Sequence, residues 1–268
     1  MSQRGEVQGW VPDWPVAPRV KAFFSTRQGG VSQAPWDSLN LGGHVGDSPE
    51  HVVTNRGLWS RSLGVLPVYL HQVHEVDVVD LDAQTPPGRT ADASWTDQPG
   101  VACTILVADC LPVLFTDPTG AWVAAAHAGW RGLAGSGGQG VLETTLARCL
   151  RSDTSPGIRA GDVYVWLGPC IGPQAFEVGP EVREAFCTAD PAAEQAFVLH
   201  RENHYMADLA LLARLRLQRA GVSAIFGNDS TPAWCTHTQS SLFFSHRRDA
   251  IRLGSTGRMA ACIWLDRD

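Results

Sequence analysis

Residues 124–131, with the sequence AAAHAGWR, constrain the fold most, because a run of small apolar residues ends abruptly in a histidine, a tryptophan and an arginine. Residues 121–126 are apolar and small enough to form a strand that is covered on both faces. Gly129 then permits a sharp turn. His127 is therefore expected at a strand end, where open sheets usually bind ligands. Taken alone, the segment fits a packed core histidine equally well.

The composition favours a globular protein that acts on neither nucleic acid nor membranes. The chain of 268 residues is 44% hydrophobic and 18% charged, which is typical of a soluble protein with a large core. The net charge of −6 and the pI of about 5.8 indicate no basic surface for nucleic acid or anionic lipid. No window approaches the roughly 18 uncharged apolar residues of a membrane span, and no signal peptide is evident. We therefore expect a cytoplasmic protein.

Strand and helix patterns alternate along the chain, which predicts a single α/β domain over residues 1–268 with a mixed β-sheet core flanked by helices. The predicted helices are 49–63, 141–150, 180–186 and 208–220. The predicted strands are 20–25, 67–81, 101–114, 121–126, 163–167, 222–226, 242–245 and 258–265. The arginines of the last helix are expected on a solvated face. The seven cysteines are scattered singly and are expected to be reduced thiols.

Two other segments hold candidate ligands near predicted strand ends. Residues 67–81 contain His71 and His74, whose side chains point to opposite faces if the strand is regular, so only one of them can face a given site. The apolar run 101–114 is expected to break at Cys110, because a following proline cannot donate to a strand ladder.

His71, Cys110 and His127 are thus the three strand-end candidates. One thiolate and two imidazoles suit Zn²⁺, and three protein ligands leave a fourth position for water or substrate, as in catalytic zinc sites. The spacing is far less specific than a paired CxxC motif. A Cys110 thiolate with a histidine base is the alternative without a metal.

Several cationic residues are candidates for anion binding. Arg27 follows a predicted strand. Without other evidence, the default interpretation is that its side chain is a solvent-exposed charge in a turn. Residues 135–140 match G-x-G-x-x-G formally, but no acidic residue ends a following strand at the required distance, so no dinucleotide site is predicted. The exposed amides at the next helix start favour an anion, with Arg131 nearby. Arg247 and Arg258 could reach a site, but the sequence favours ion pairs on the surface for both.

Six segments, which together cover nearly the whole chain, form a specific pattern. They are PWDSLNLGGHVGD at 35–47, HQVH at 71–74, ADCLPVLFTD at 108–117, HAGWRG at 127–132, GPCIGPQAFEVG at 168–179 and TGRMA at 256–260. In these segments the chain resembles the YfiH-like family, which is also called the laccase-domain or DUF152 purine nucleoside phosphorylase family. The same family is also known as the polyphenol oxidase family or the peptidoglycan editing factor family.

The resemblance implies a zinc enzyme that phosphorolyses adenosine, inosine, guanosine and methylthioadenosine and also deaminates adenosine. The residues that match the family's site are His71, Cys110 and His127 as zinc ligands and catalytic residues, and Arg27, Trp130 and Arg131 as contacts to phosphate and purine. An alternative implied by the same family is a cytosolic hydrolase that edits a peptidoglycan precursor, an amidase of UDP-MurNAc-L-Ser. A metal-binding protein without turnover is the third possibility.

The laccase label itself can be tested on the histidines. A multicopper oxidase needs about ten ligands, most of them from His-x-His pairs. This chain has nine histidines and no His-x-His pair. The sequence therefore does not favour a laccase mechanism.

Overall fold

The structure, a computed structural model, describes residues 7–267. The helices are α1 (Pro49–Leu63), α2 (Trp130–Ala134), α3 (Val141–Leu150), α4 (Pro180–Cys187), α5 (Leu209–Arg219) and α6 (Ile251–Leu253). Short 3₁₀ turns lie at Ala160–Asp162, Pro191–Ala196 and Pro232–Trp234, and a π turn lies at His246–Ala250. The strands are β1 (Gly9–Trp10), β2 (Val20–Ser25), β3 (Leu66–Tyr69), β4 (Val78–Asp80), β5 (Ala93–Thr96), β6 (Val101–Val107), β7 (Leu111–Thr116), β8 (Val123–Ala128), β9 (Tyr164–Leu167), β10 (Glu177–Val178), β11 (Phe197–Arg201), β12 (His204–Ala207), β13 (Ala224–Gly227) and β14 (Met259–Leu265).

These strands form two large mixed sheets and one small antiparallel sheet. The first large sheet has the order β1-β2-β14-β6-β3, and the second has the order β13-β9-β7-β8-β5-β4. The pairs β3–β6, β4–β5 and β9–β13 are parallel, and the other pairs of the large sheets are antiparallel. The α/β class is therefore confirmed, but two large sheets replace the single sheet that we expected.

The two large sheets pack face to face between outer helices. On β8, Val123 and Ala125 face the core between the sheets, whereas Ala124 and Ala126 face the core under α3 and α5. On the outer face of the first sheet, Trp59 of α1 packs against alternate residues of β6 and β14. Central strands covered on both faces carry apolar residues at every position. This explains the unbroken apolar run before His127.

Local signals predicted the first helix well and two strands badly. α1 begins at Pro49 and ends at Leu63, with Gly64 in the left-handed conformation (φ 68°). The predicted strand 67–81 is wrong in its middle, where residues 70–77 form a loop between β3 and β4. The predicted strand 242–245 is also wrong, since these residues form no strand. Within residues 7–267, no helix is long and apolar enough to cross a membrane.

Of the three arginines of α5, Arg219 is exposed as expected, whereas Arg214 and Arg216 are not. Arg216 is buried and donates to Glu143 of α3 at 2.8 Å and to the carbonyl of Gly138 at 2.7 Å. Arg214 donates to three backbone carbonyls of residues 225–228. Both side chains therefore connect α5 to its neighbours and are not free in solvent.

Candidate active site

The link between the two large sheets positions Cys110. β6 belongs to the first sheet and β7 to the second, so the chain crosses between them at residues 108–110. Asp109 turns the chain there with a φ of 86°. Leu111, which follows Cys110, pairs with Ala128 at the end of β8. The predicted break at Cys110 is confirmed, and it places the thiol beside the end of β8.

His127 is buried in β8 and oriented by Asp92. The backbone N–H of His127 donates to the carbonyl of Asp92 at 2.7 Å, and its Nδ1 lies 2.7 Å from Asp92 Oδ1. The carboxylate of Asp92 therefore occupies one ring nitrogen, which leaves Nε2 available for a ligand.

His74 reaches the same place from the loop between β3 and β4. The Asp92 carboxylate accepts the backbone N–H groups of Val73, His74 and Glu75 at 3.0, 2.9 and 2.9 Å. His74 has a φ of 65°, and its Nε2 lies 3.7 Å from Cys110 Sγ. One ligand atom each from His74, Cys110 and His127 lies within 4.8 Å of the others. Three side chains from separate segments thus converge on one point.

The structure brings His74, and not the expected ligand His71, to Cys110. His71 is exposed and forms an isolated parallel bridge with Thr90. The expectation assumed a regular strand through both histidines. The chain leaves the strand after Tyr69, and the amide contacts to Asp92 fold the loop so that His74 faces the cluster.

Charges within the cluster favour a thiolate. Burial disfavours the charged form of Cys110, but the charge of His127 and hydrogen bonds from His127 and His74 outweigh burial and lower its pKa to about 6. Burial also disfavours the charged ring of His127, but the charge of Cys110 and the hydrogen bond to Asp92 outweigh it and raise the His127 pKa to about 9. The thiolate is the form of cysteine that binds metals and acts as a nucleophile.

Gly129 is required by the close packing around this cluster. A Cβ atom at this position would lie 2.7 Å from His74 Cδ2 and 3.1 Å from Cys110 Sγ. The glycine that follows β8 therefore lets its backbone pass directly beside two of the three side chains.

The cluster lines a cavity of about 460 Å³ whose walls combine aromatic, apolar and charged groups. Trp130 and Arg131, both expected as substrate contacts, line this cavity at the start of α2. The Arg131 guanidinium lies over the Trp130 ring, 4.4 Å from its centroid. Phe176 adds a second aromatic ring to the wall. Planar ligands and anions are the groups that such walls suit.

Arg27 does not line the cavity, so the structure does not support its expected contact with phosphate. Its Nη2 lies 3.2 Å from Asp37 Oδ2, its Nη1 donates to the carbonyl of Ser240 at 3.1 Å, and its guanidinium lies over the Phe244 ring. Arg27 instead connects the loop after β2 to the segment before the π turn.

Two arginines for which the sequence favoured surface ion pairs over a site role, Arg247 and Arg258, line the cavity. Arg258 lies in TGRMA, one of the segments that carry the family resemblance, and this was a usable signal. Arg247 lies in no such segment. Asp109, which binds the Arg247 backbone, was also missed as a site residue.

A family model described as "Multi-copper polyphenol oxidoreductase laccase" matches residues 21–266. The Escherichia coli protein YfiH, named a purine nucleoside phosphorylase, is 49% identical over 257 residues, which cover 95% of this chain and 98% of that protein. This chain belongs to the laccase-like YfiH family. A YfiH-family relative from Pseudomonas aeruginosa, also named a purine nucleoside phosphorylase, is 49% identical over 263 residues, which cover 97% of this chain and 99% of the relative.

Solved structures of the YfiH family show the same fold. A Neisseria meningitidis protein of the DUF152 family matches with a TM-score of 0.87 and 45% identity, covering 97% of this chain and 99% of that one. YlmD from Geobacillus stearothermophilus matches with a TM-score of 0.82 and 31% identity, covering 98% of this chain and 99% of that one. The arrangement of two large sheets and outer helices therefore belongs to the family.

Proposed function

We propose that this chain is a zinc-dependent purine nucleoside phosphorylase that acts on adenosine, inosine, guanosine and methylthioadenosine and also deaminates adenosine. The observation that carries the proposal is the convergence of His74, Cys110 and His127 in the wall of a cavity that also presents an aromatic ring and arginines. The names of the two bacterial relatives support the same activity.

The donor set fits zinc in chemistry and spacing. A tetrahedral zinc with Zn–S of about 2.3 Å and Zn–N of about 2.0 Å separates the sulfur and nitrogen ligands by about 3.5 Å. The distance from Cys110 Sγ to His74 Nε2 is 3.7 Å. A carboxylate behind a histidine ligand, as Asp92 stands behind His127, is the usual outer support of such sites. When bound, zinc supplies Lewis-acid polarisation of the substrate.

The cavity provides the other requirements of phosphorolysis. The reaction breaks the bond between C1′ of the ribose and the purine nitrogen, and a phosphate oxygen forms the new bond to C1′. Half-buried Trp130 offers an aromatic face for the purine, and the arginines offset the phosphate charge. A volume of about 460 Å³ lies within the range of small-molecule sites.

The test is to incubate the zinc-loaded protein with inosine and phosphate. We expect hypoxanthine and ribose 1-phosphate in equal amounts, and neither product from a Cys110→Ala variant. Because the proposal includes deamination, we also expect the protein to convert adenosine to inosine when phosphate is absent. If no ribose 1-phosphate forms, and UDP-MurNAc-L-Ser is hydrolysed without phosphate, the protein is the amidase and the phosphorylase proposal is wrong.

A further inference from the structure

Arg247 and Arg258 are two cationic groups in one cavity, and the proposed phosphorolysis does not say which of the cavity's arginines contacts phosphate. We propose that their guanidinium groups form the subsite for a phosphate oxyanion, and that Asp109 is the positioning residue that holds Arg247 in it. The identity of the ligand rests on the proposed phosphorolysis, but the existence of the subsite rests on the contacts described below.

Neither guanidinium has an acidic partner in the part of the chain that the structure describes. The backbone N–H of Arg247 donates to Asp109 Oδ2, and the backbone N–H of Arg258 donates to Asn40 Oδ1. Each guanidinium donates only from Nη1, and only to backbone carbonyls. Arg216, in contrast, pairs with Glu143 at 2.8 Å. Two unpaired positive charges that face a cavity favour an anionic ligand there.

Both arginines keep the same edge of the guanidinium free. Arg258 uses Nη1 to donate to the carbonyls of Thr256 and Gly257 at 3.0 and 3.1 Å. Arg247 uses Nη1 to donate to the carbonyl of Glu177 at 2.9 Å. In both residues, Nε and Nη2 donate to no acceptor within residues 7–267. This pair of nitrogens is the fork that binds two oxygens of a phosphate group.

Arg258 is held in place before any ligand binds. Its backbone N–H donates to Asn40 Oδ1 at 2.9 Å, and its side chain passes over Gly42, where a Cβ atom would lie 2.7 Å from Arg258 Cγ. Burial lowers the pKa of Arg258, while the charges of Cys110 and Asp109 oppose that shift. A fixed and partly desolvated cation binds an anion with little loss of side-chain entropy.

The carboxylate of Asp109 holds the backbone of Arg247. Asp109 Oδ2 accepts the Arg247 N–H at 2.6 Å and the Ser245 hydroxyl at 3.0 Å, and Oδ1 accepts the Thr236 hydroxyl at 2.6 Å. Asp109 directly precedes Cys110 and has a left-handed φ of 86°. One residue thus connects the turn that carries the thiol to the segment that carries the arginine.

The chemistry of the subsite suits free inorganic phosphate and equally a phosphoryl group carried by a larger substrate, such as the diphosphate of a uridine nucleotide. Two probes distinguish these sources. Inorganic phosphate tests the free anion, and uridine diphosphate tests the substrate-borne group. Calorimetric titration of the zinc-loaded full chain measures each affinity without turnover.

For the arginines, we expect Arg247→Gln and Arg258→Gln each to weaken phosphate binding by about 10- to 100-fold, the range for a lost charge-assisted pair of hydrogen bonds. The control is Arg252→Gln, which removes an exposed arginine of α6 in the same segment and should change the affinity less than twofold. If Arg258→Gln does not fold, Arg258→Lys keeps the charge without the fork and should still weaken binding.

For Asp109, we compare two variants that the backbone accepts. Asp109→Gly suits the left-handed φ but removes the carboxylate, so KM for phosphate should rise about tenfold while KM for inosine and zinc content stay unchanged. Asp109→Asn keeps an acceptor for Arg247 and should restore most of the phosphate affinity. A merely structural role would instead raise both KM values or lower the zinc content.

The subsite is overturned if both arginine-to-glutamine variants bind phosphate as tightly as the unmodified chain. Tighter binding of uridine diphosphate than of phosphate, lost in the same variants, supports the subsite and assigns it to a substrate-borne group. If phosphate binds through these arginines but no ribose 1-phosphate forms, the subsite stands and the phosphorylase proposal fails.

Discussion

The Sγ atom of Cys110 lies 3.7 Å from Nε2 of His74, although the two residues come from different loops. Asp92 makes this approach possible, because one carboxylate binds the amides of the His74 loop and the imidazole of His127. The geometry of the proposed zinc site therefore depends on a residue that is not itself a ligand.

The two neighbouring histidines give the first prediction. His74→Ala should lose bound zinc, since it removes one of three ligands, whereas His71→Ala should keep it because His71 lies outside the cluster. Metal content after dialysis, measured by mass spectrometry, checks this. Zinc that is lost from the His71 variant and kept by the His74 variant would restore the ligand set expected from sequence.

The second prediction concerns Asp92. Asp92→Asn should weaken zinc binding about 10- to 100-fold, because the amide group cannot accept from both His127 and the loop N–H groups. Asp80→Asn is the matched control, since Asp80 is an exposed aspartate on β4 that pairs with Arg148. Competition with a chromogenic chelator measures both affinities. Equal affinities in the two variants would show that Asp92 does not support the zinc site.

The third prediction concerns the glycine beside the cluster. Gly129→Ala should displace His74 or Cys110 and destabilise the folded protein by about 1–3 kcal/mol, as overpacking usually does. The control is Gly43→Ala, where the nearest atom to the added Cβ is 3.7 Å away. Urea denaturation and zinc affinity are measured on both variants. A Gly129→Ala variant that matches Gly43→Ala in both would contradict the packing described here.

The fourth prediction concerns acid stability. Burial disfavours the Asp249 carboxylate, but hydrogen bonds from Arg248 and from the backbone of Ser245 outweigh burial and hold the pKa of Asp249 below its usual range. A pKa that is lower in the folded state adds stability above the unfolded-state value of about 3.9, and this stability is lost as pH falls further.

Asp249→Asn should therefore lower the free energy of unfolding at pH 7 and flatten its fall below about pH 4. The control is Asp13→Asn, at an exposed aspartate. Urea denaturation between pH 3 and pH 7 gives the curves. An unchanged slope in the Asp249 variant would show that this carboxylate does not cause the acid dependence.

The sequence predicted what short-range signals determine. Ser48, Pro49 and Gly64 marked the ends of α1, and the proline after Cys110 marked the break between β6 and β7. The apolar run before His127 predicted a central strand. Each of these signals acts within a few residues of the feature it sets, so a single sequence suffices to read it.

What the sequence could not predict depends on contacts between distant segments. The choice of His74 over His71 depends on Asp92, which lies 18 positions from His74 in the chain. The entry of Arg258 into the cavity depends on Asn40, which is 218 positions away. Periodicity and turn chemistry contain no information about such pairs, and the expectation of a regular strand through residues 70–77 failed for this reason.

The most direct test of the central claim uses inosine and phosphate labelled with ¹⁸O on the zinc-loaded protein. Phosphorolysis at this site predicts ribose 1-phosphate that carries the label in the oxygen bonded to C1′, formed in equal amount to hypoxanthine and absent with Cys110→Ala. Free ribose in place of ribose 1-phosphate, or equal product from the Cys110 variant, would contradict it.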